Sequence, residues 1–342
     1  MRGVDAVPIE RADAPHPDDR LGEAAQVLAG AKRVALACHV NPDPDAAGSM
    51  LGLAHYLAAR GTDVVCSWGN HPMEVPRWIS LLDGSRFLVE PEAFPSAPDV
   101  MVTLDTAAPD RLGSLAGNAA RARELVVLDH HRTNPGYGTV LVLDATASST
   151  AEIVLRLVER MGGDLPDLAA ACLYAGIVTD TGRFQYEATT PTTLRAAATL
   201  RSKSFDHTRM AQLLFEDNPI ASLRLVATAL DRLVHVPEAS LVWTYVTQSD
   251  LARAGVGMGD TDDLIDIVRT AREADVACVL KQQKDGRFKV SLRSKGQTDV
   301  GAAAHSFDGG GHRLAAGYTS SAGLDESVES LVRALVASRE PS

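Results

Sequence analysis

Cysteine is sparse: four residues in 342, each inside an apolar run and none in a CxxC pair. That leaves no disulfide framework or thiolate metal motif, so Cys38, Cys66, Cys172 and Cys278 read as buried free thiols in a reducing compartment. Positive charge is also short, with 33 Lys and Arg against 44 Asp and Glu, for a formal net charge of −11. A protein that grips long duplex nucleic acid needs a basic footprint, and this balance argues against one. It leaves open an enzyme that admits a short nucleotide to a locally positive, metal-loaded cleft. No apolar run reaches the roughly 18 to 20 residues that span a bilayer. The start, MRGVDAVPIERADAPHPDDR, has acids and prolines but no hydrophobic signal core, so residues 1–20 read as a disordered lead-in rather than a targeting device. Neither GxGxxG nor GxxxxGK[ST] occurs, which argues against dinucleotide redox chemistry and ATPase chemistry. No repeat of solenoid type is present. A cytoplasmic enzyme fits these absences.

The length suits two domains at roughly 150 residues each. Apolar residues at 45% and charged residues at 23% are ordinary for a globular chain. Short runs of Val, Leu and Met (RVALACHV, DVVCSW, DVMVTLD, ELVVLD and TVLVLD) read as strands covered on both faces. Helical stretches alternate with them, which implies a mostly parallel sheet. Three of these strands end on Asp105, Asp129 and Asp144, and open α/β sheets place ligands beyond the carboxyl ends of their strands. STAEIVLRLVERMGG and LPDLAAACLYAGIVTD follow as helices, the second running to Asp180. The boundaries expected are 21–190 for a catalytic domain, 191–219 for a helical linker and 220–342 for a second α/β domain. Within the last, TDDLIDIVRTAR reads as a helix, Lys284-Asp285-Gly286 as a hairpin turn, and the segment after GGGH as the start of a further helix.

The chemistry concentrates in a few segments. His39-Val-Asn-Pro-Asp43-Pro-Asp45 puts an imidazole and two carboxylates within seven residues at a strand end. Asp105 closes the next strong strand, Asp129-His130-His131 another, and Asp180 a buried helix. Crowded carboxylates are unfavourable without a compensating positive charge, and a divalent cation is the economical answer. The mixture of His and carboxylate suits Mn²⁺, Fe²⁺ or Zn²⁺ better than Ca²⁺. The ligands are too many for one ion and appropriate for two. Two metals can stabilise the attacking and the leaving oxygen of a phosphoryl transfer, so no Ser or Cys nucleophile is required. A second feature is Ser291-Leu292-Arg293 followed by Gly309-Gly310-Gly311-His312. Glycines there let backbone N–H groups approach a phosphate, Arg293 offers a bidentate fork, and a following helix would favour an anion at its N-terminus.

HxNPDxD, a lone strand-end Asp, DHH, a later Asp and GGGHxxAAG resemble, in that order and from about residue 25 to 320, the DHH phosphoesterase superfamily with its DHHA1 domain. The resemblance implies an N-terminal, mostly parallel-sheet DHH domain joined to a smaller α/β DHHA1 domain, with the active site in the cleft between them. It implies two divalent ions per chain, Mn²⁺ in particular. His39 and Asp43 would hold one, Asp45, His130 and Asp180 the other, and Asp105 would bridge them. His131 would face the scissile phosphate and Asp129 would orient the histidines. Arg293, with Ser291, Gly309, Gly310, Gly311 and His312, would grip the non-scissile end. Phe307, Tyr318 or Phe184 could stack on a base, or could equally belong to a core. The implied activity is hydrolysis of short oligoribonucleotides, pApA included, and of 3'-phosphoadenosine 5'-phosphate, by a homodimer. Cyclic di-AMP hydrolysis and inorganic pyrophosphatase or exopolyphosphatase activity are the alternatives. Asp308, between Phe307 and the glycines, departs from the family loop.

Overall fold

The computed structural model describes residues 17–338. Most of the expected lead-in lies outside the described residues, and its last residues, Pro17 to Arg20, already belong to helix α1 (Pro17–Ala29). The chain divides into two compact units between Glu216 and Asp217.

In the first unit β1 (Arg33–Cys38), α2 (Pro44–Ala59), β2 (Asp63–Trp68), β3 (Val100–Leu104), α3 (Ala116–Ala120), β4 (Glu124–Asp129) and β5 (Val140–Leu143) alternate as the hydrophobic runs suggest. The strands form one parallel sheet in the order β2-β1-β3-β4-β5. Both faces are covered, which explains why the strands lack strict alternation. Val34, Leu36, Val102, Leu104, Val126 and Leu128 face a core shared with the larger helices, while Ala35, Ala37, Met101 and Val127 face a smaller one. The strand order reverses between β1 and β3, and such a reversal opens a crevice at the carboxyl ends of the two strands. His39 follows β1 and Asp105 follows β3.

Three elements deliver further groups to that edge. Asp43 caps α2 by accepting from the Ala46 N–H at 2.9 Å, with Pro44 opening the helix. Ser149 caps α4 (Thr150–Met161), and α5 (Asp167–Asp180) ends on its acidic residue. Residues 191–219, expected as a linker, are helical as α6 (Pro191–Arg201) and α7 (His207–Phe215). Their Ala196, Ala197, Leu200 and Met210 join the first core.

The second unit begins with α8 (Ile220–Leu230), β6 (Val234–Val236), β7 (Leu241–Val246), α9 (Gln248–Ala254), α10 (Leu264–Val268), β8 (Val276–Gln282) and β9 (Phe288–Ser294). It closes with α11 (Val300–His305), β10 (Gly310–His312), β11 (Ala315–Ser320) and α12 (Leu324–Ala337). Its sheet runs β10-β11-β9-β8-β7-β6, antiparallel except between β7 and β8. One face packs on α11 and α12, the other on α8, α9 and α10. Gly286, at φ +87°, makes the turn between β8 and β9.

Two local expectations are corrected here. TDDLIDIVRTAR is not one helix but a 3₁₀ turn (Gly259–Thr261) and the short α10. Of that stretch, Leu264, Ile265 and Val268 are buried in the core and Ala271 packs partly against it. The segment after GGGH is a hairpin, not a helix: Ala316 and Tyr318 alternate into the core with the two-residue period of a strand. The helix N-terminus expected to favour an anion there does not exist. The four cysteines are buried and free. Among the described residues no helix is long and apolar enough to cross a membrane.

Candidate active site

At the carboxyl edge of the parallel sheet, His39 presents its Nε2 3.6 Å from an Asp43 oxygen and 3.5 Å from Asp105 Oδ2. His130 presents its Nε2 3.5 Å from the other oxygen of Asp105 and 3.5 Å from Asp180 Oδ2. Among the described residues, three overlapping groups could hold a metal ion: His39, Asp43 and Asp105; Asp45, His130 and Asp180; and Asp105, His130 and His131. Asp105 thus turns Oδ2 toward His39 and Oδ1 toward His130. The backbone supports that placement. Asp105 sits at φ +54°, a left-handed conformation that Asp tolerates better than most residues, and its N–H donates to the Leu128 carbonyl at 3.0 Å. Thr150 donates its hydroxyl to Asp105 Oδ1 at 2.9 Å.

Asp45 is held from behind by the start of α4: the N–H groups of Thr150 and Ala151 donate to its two oxygens at 2.7 and 3.0 Å. The positive end of the helix offsets part of its charge. Gly176 on α5 makes room for this arrangement, since a Cβ there would stand 2.7 Å from Asp45 Oδ1. On the other ring nitrogens, His39 Nδ1 lies 2.8 Å from the Val40 carbonyl and His130 Nδ1 lies 3.3 Å from that of Ala147. With Nδ1–H donating to those backbone acceptors, each Nε2 would be the nitrogen left to bind a metal.

Among the described residues, the ion pairs made by Asp43, Asp105 and Asp180 are with histidines, not with Lys or Arg. Burial, then the charges of Asp105 and Asp43, push the Asp45 carboxyl well above the usual range. Burial and the neighbouring Asp45, Asp105 and Asp43 do the same to Asp180. Such crowding of carboxylates fits divalent cations, and the mixed oxygen and imidazole donors suit a transition metal.

Asp129 and His131 stand one step back. Asp129 is fully buried at the end of β4 and accepts from His131 Nδ1 at 2.8 Å and from Asn134 Nδ2 at 2.7 Å. Burial raises the Asp129 carboxyl, but these donors prevail and hold it below its ordinary range. Asp129→Asn is expected to change metal content little and lower kcat by about 10- to 100-fold, the usual loss when a group that orients a site is removed. Metal analysis beside steady-state kinetics checks this. Asn134, Thr150 and Gly176 were not singled out from sequence. Asn134 stands in the same run as DHH, where its spacing could have suggested it; the other two act only through the fold. Arg111 was missed as well: its guanidinium lies 3.5 Å from His39 Nδ1.

The remaining predicted residues, Phe184 apart, lie in the second unit. Ser291 and Arg293 share a face of β9, and β11 pairs Gly317 with Ser291 and Ala315 with Arg293. β10 continues the rows, Gly310 opposite Gly317 and His312 opposite Ala315. Gly311, at φ +138°, is needed for the hairpin, since a Cβ would stand 2.5 Å from the Ala315 carbonyl oxygen. Gly310 instead has open space on its Cβ side, with one side-chain atom at 3.9 Å. Gly309 is tightly packed, and Asp308 is exposed. Phe307 and Tyr318 stack on each other with centroids 4.5 Å apart in the second core, and Phe184 packs against the first.

Residues 33–177 match the family model described as DHH family, N-terminal domain, and residues 239–338 match the DHHA1 domain. The bifunctional oligoribonuclease and PAP phosphatase NrnA of Thermus thermophilus is 30% identical, over 94% of this chain and 96% of that protein. The protein of the same description from Bacillus subtilis is 28% identical, over 82% of this chain and 86% of its own length. The crystal structure of an exopolyphosphatase-related protein from Bacteroides fragilis superposes with a TM-score of 0.86 at 25% identity, covering 93% of this chain and 96% of that one.

Proposed function

This chain belongs to the DHH family of phosphoesterases and carries the DHHA1 domain, and from that premise we propose that it hydrolyses short oligoribonucleotides, pApA among them, and the 3'-phosphate of 3'-phosphoadenosine 5'-phosphate (PAP). The observation that carries the catalytic reading is the division of Asp105 between two histidine–carboxylate groups. His39 and Asp43 would hold one divalent cation, Asp45, His130 and Asp180 a second, with Asp105 between them and Mn²⁺ the best-suited ion. Bound there, the cations would lower the pKa of a water and offset charge on the phosphoryl oxygens.

The chain's own groups do the rest. Asp129 fixes the His131 ring through Nδ1, so that Nε2 is the nitrogen to hold or deliver a proton at the leaving oxygen. In the second unit Arg293, Ser291 and the segment Gly309 to His312 would take the non-scissile end of the nucleotide. The relatives named for oligoribonuclease and PAP phosphatase activity support this choice of substrates, and the acidic chain suits a short substrate over a long duplex. We place the activity in the cytoplasm and expect a homodimer.

A panel of PAP, pApA, a 24-mer RNA, cyclic di-AMP and pyrophosphate, with products identified, tests the substrate class. Arg293→Ala then tests the division of labour. A charge-assisted hydrogen bond contributes about 1.5 to 3 kcal/mol, so kcat/KM for pApA or PAP should fall roughly 10- to 150-fold. A small artificial diester, which has no second end, should be unaffected, and both cations should remain. Equal losses on both substrates would assign Arg293 to the fold. No loss on either would remove the second unit from recognition and favour pyrophosphate or polyphosphate as substrate.

A further inference from the structure

Arg293 is not alone on its sheet face. Lys289 lies four residues earlier on β9, and β8 places Lys281 directly opposite it. The Lys281 side chain is almost fully buried, and its Nζ donates to Asp262 Oδ1 at 2.8 Å. Burial, and after it the like charges of Lys289 and Arg293, draw the Lys281 ammonium below its ordinary range against the pull of Asp262. The cations therefore sense one another on this face. Opposite them, the segment around α10 brings up carboxylates. Asp262 takes Lys281, and Asp266 Oδ1 lies 3.9 Å from Arg293 Nε and 3.8 Å from Arg269 Nη1. Asp266 and Arg293 both remain partly exposed, at 46% and 30% of their side chains, so water and solutes reach the pair.

A carboxylate this close to a guanidinium, whose Nη1 donates to the Leu292 carbonyl at 3.1 Å, draws on the same positive charge that a phosphate would seek. We propose that Asp266 is a specificity-determining residue of this site: it competes with a phosphomonoester at the substrate's non-scissile end for Arg293. The competition keeps the hold on that end loose enough for exchange, and the product, which carries the same phosphate, can leave. It acts only on ligands with an anion at that end, because an uncharged hydroxyl terminus does not contest Arg293. The inference rests on the proposed reading of Arg293 as the residue that takes this end.

Asp266→Asn keeps the shape of the side chain and removes its charge. Exposed pairs of this kind alter affinity by at most about fivefold. The KM of a 5'-phosphorylated dinucleotide should therefore fall by roughly two- to fivefold. The KM of its dephosphorylated form and that of the small artificial diester should not move, and metal content and melting temperature should match the parent. In an Arg293→Ala background the same substitution should have no further effect on KM, because the contested cation is gone. Unchanged KM for the phosphorylated dinucleotide, with Arg293→Ala still damaging its turnover, overturns the competition and leaves the reading of Arg293 intact. A rise in KM overturns it too, showing that Asp266 holds Arg293 in place. If Arg293→Ala leaves nucleotide turnover untouched, the reading of the second unit and the inference built on it fall together.

Discussion

Asp105→Ala should bind fewer than two cations per chain and lose at least about 10³-fold in kcat/KM. Cation stabilisation of a phosphoryl transfer contributes several kcal/mol, and each 1.36 kcal/mol is tenfold in rate. The loss should be this large because Asp105 has an oxygen near each histidine and is buried between them. Removing it takes a donor from both groups at once. Alanine also sits poorly at φ +54°, where an L-residue with a Cβ loses about 1 to 2 kcal/mol. Asp105→Asn is the companion variant, since Asn tolerates that conformation and can still accept from the Thr150 hydroxyl. In chelator, Asp105→Asn should melt no lower than the parent, because one of the crowded carboxylates has lost its charge. Added Mn²⁺ should raise the melting temperature of the parent more than that of the variant, by linkage of binding to folding. Elemental analysis that finds two tightly held cations per chain in Asp105→Ala would end the bridging role.

This edge was legible in the sequence because parallel strands are short, apolar and terminated by the residues that do chemistry. VTLD and VVLD each state a strand and its acidic end in four letters, and HVNPDPD combines a strand end with a helix cap. The first sheet could be read from these runs alone. What could not be read depends on partners distant in sequence. Thr150 matters because α4 begins against Asp45 and Asp105, more than a hundred and about forty-five residues away.

The second unit was harder for a different reason. GGGHRLAAG contains small residues that suit a helix start or a tight hairpin, and neighbouring strands decide between them. β9 supplies an edge for β11, and Ala316 and Tyr318 find the core on alternate positions. Local propensity gave way to pairing. In TDDLIDIVRTAR the apolar spacing fits a helix, yet only about a turn of it has a core to face. The acidic residues left over are the ones that reach Lys281 and Arg293. Helices α6 and α7 were legible as helices but not as part of the first unit, since a polar helical stretch between domains shows its buried face only when the core it covers is known.

The adjacent histidines carry the second large prediction. Both lie near Asp105: His130 Nε2 at 3.5 Å and His131 Nδ1 at 3.6 Å from the same oxygen. Proximity alone would allow either to bind a cation. The hydrogen bonds separate them. His131 Nδ1 is engaged by the buried Asp129 at 2.8 Å, a bond it makes as a donor, so that nitrogen has no lone pair for a metal. Burial lowers the His131 pKa, but the Asp129 hydrogen bond and the charges of Asp105 and Asp129 outweigh it and raise it above the ordinary imidazole value. A ring whose protonated form is favoured in this way suits a general acid. His131→Ala should therefore retain both cations and lose about 10²- to 10⁴-fold in kcat on a nucleotide substrate, whose alkoxide leaving group needs a proton. With a nitrophenyl diester the loss should be much smaller, because nitrophenolate departs without one. Equal losses on both leaving groups would make His131 a group that positions or neutralises the phosphoryl oxygens. A His131→Ala protein that binds only one cation would reverse the roles given to the two histidines.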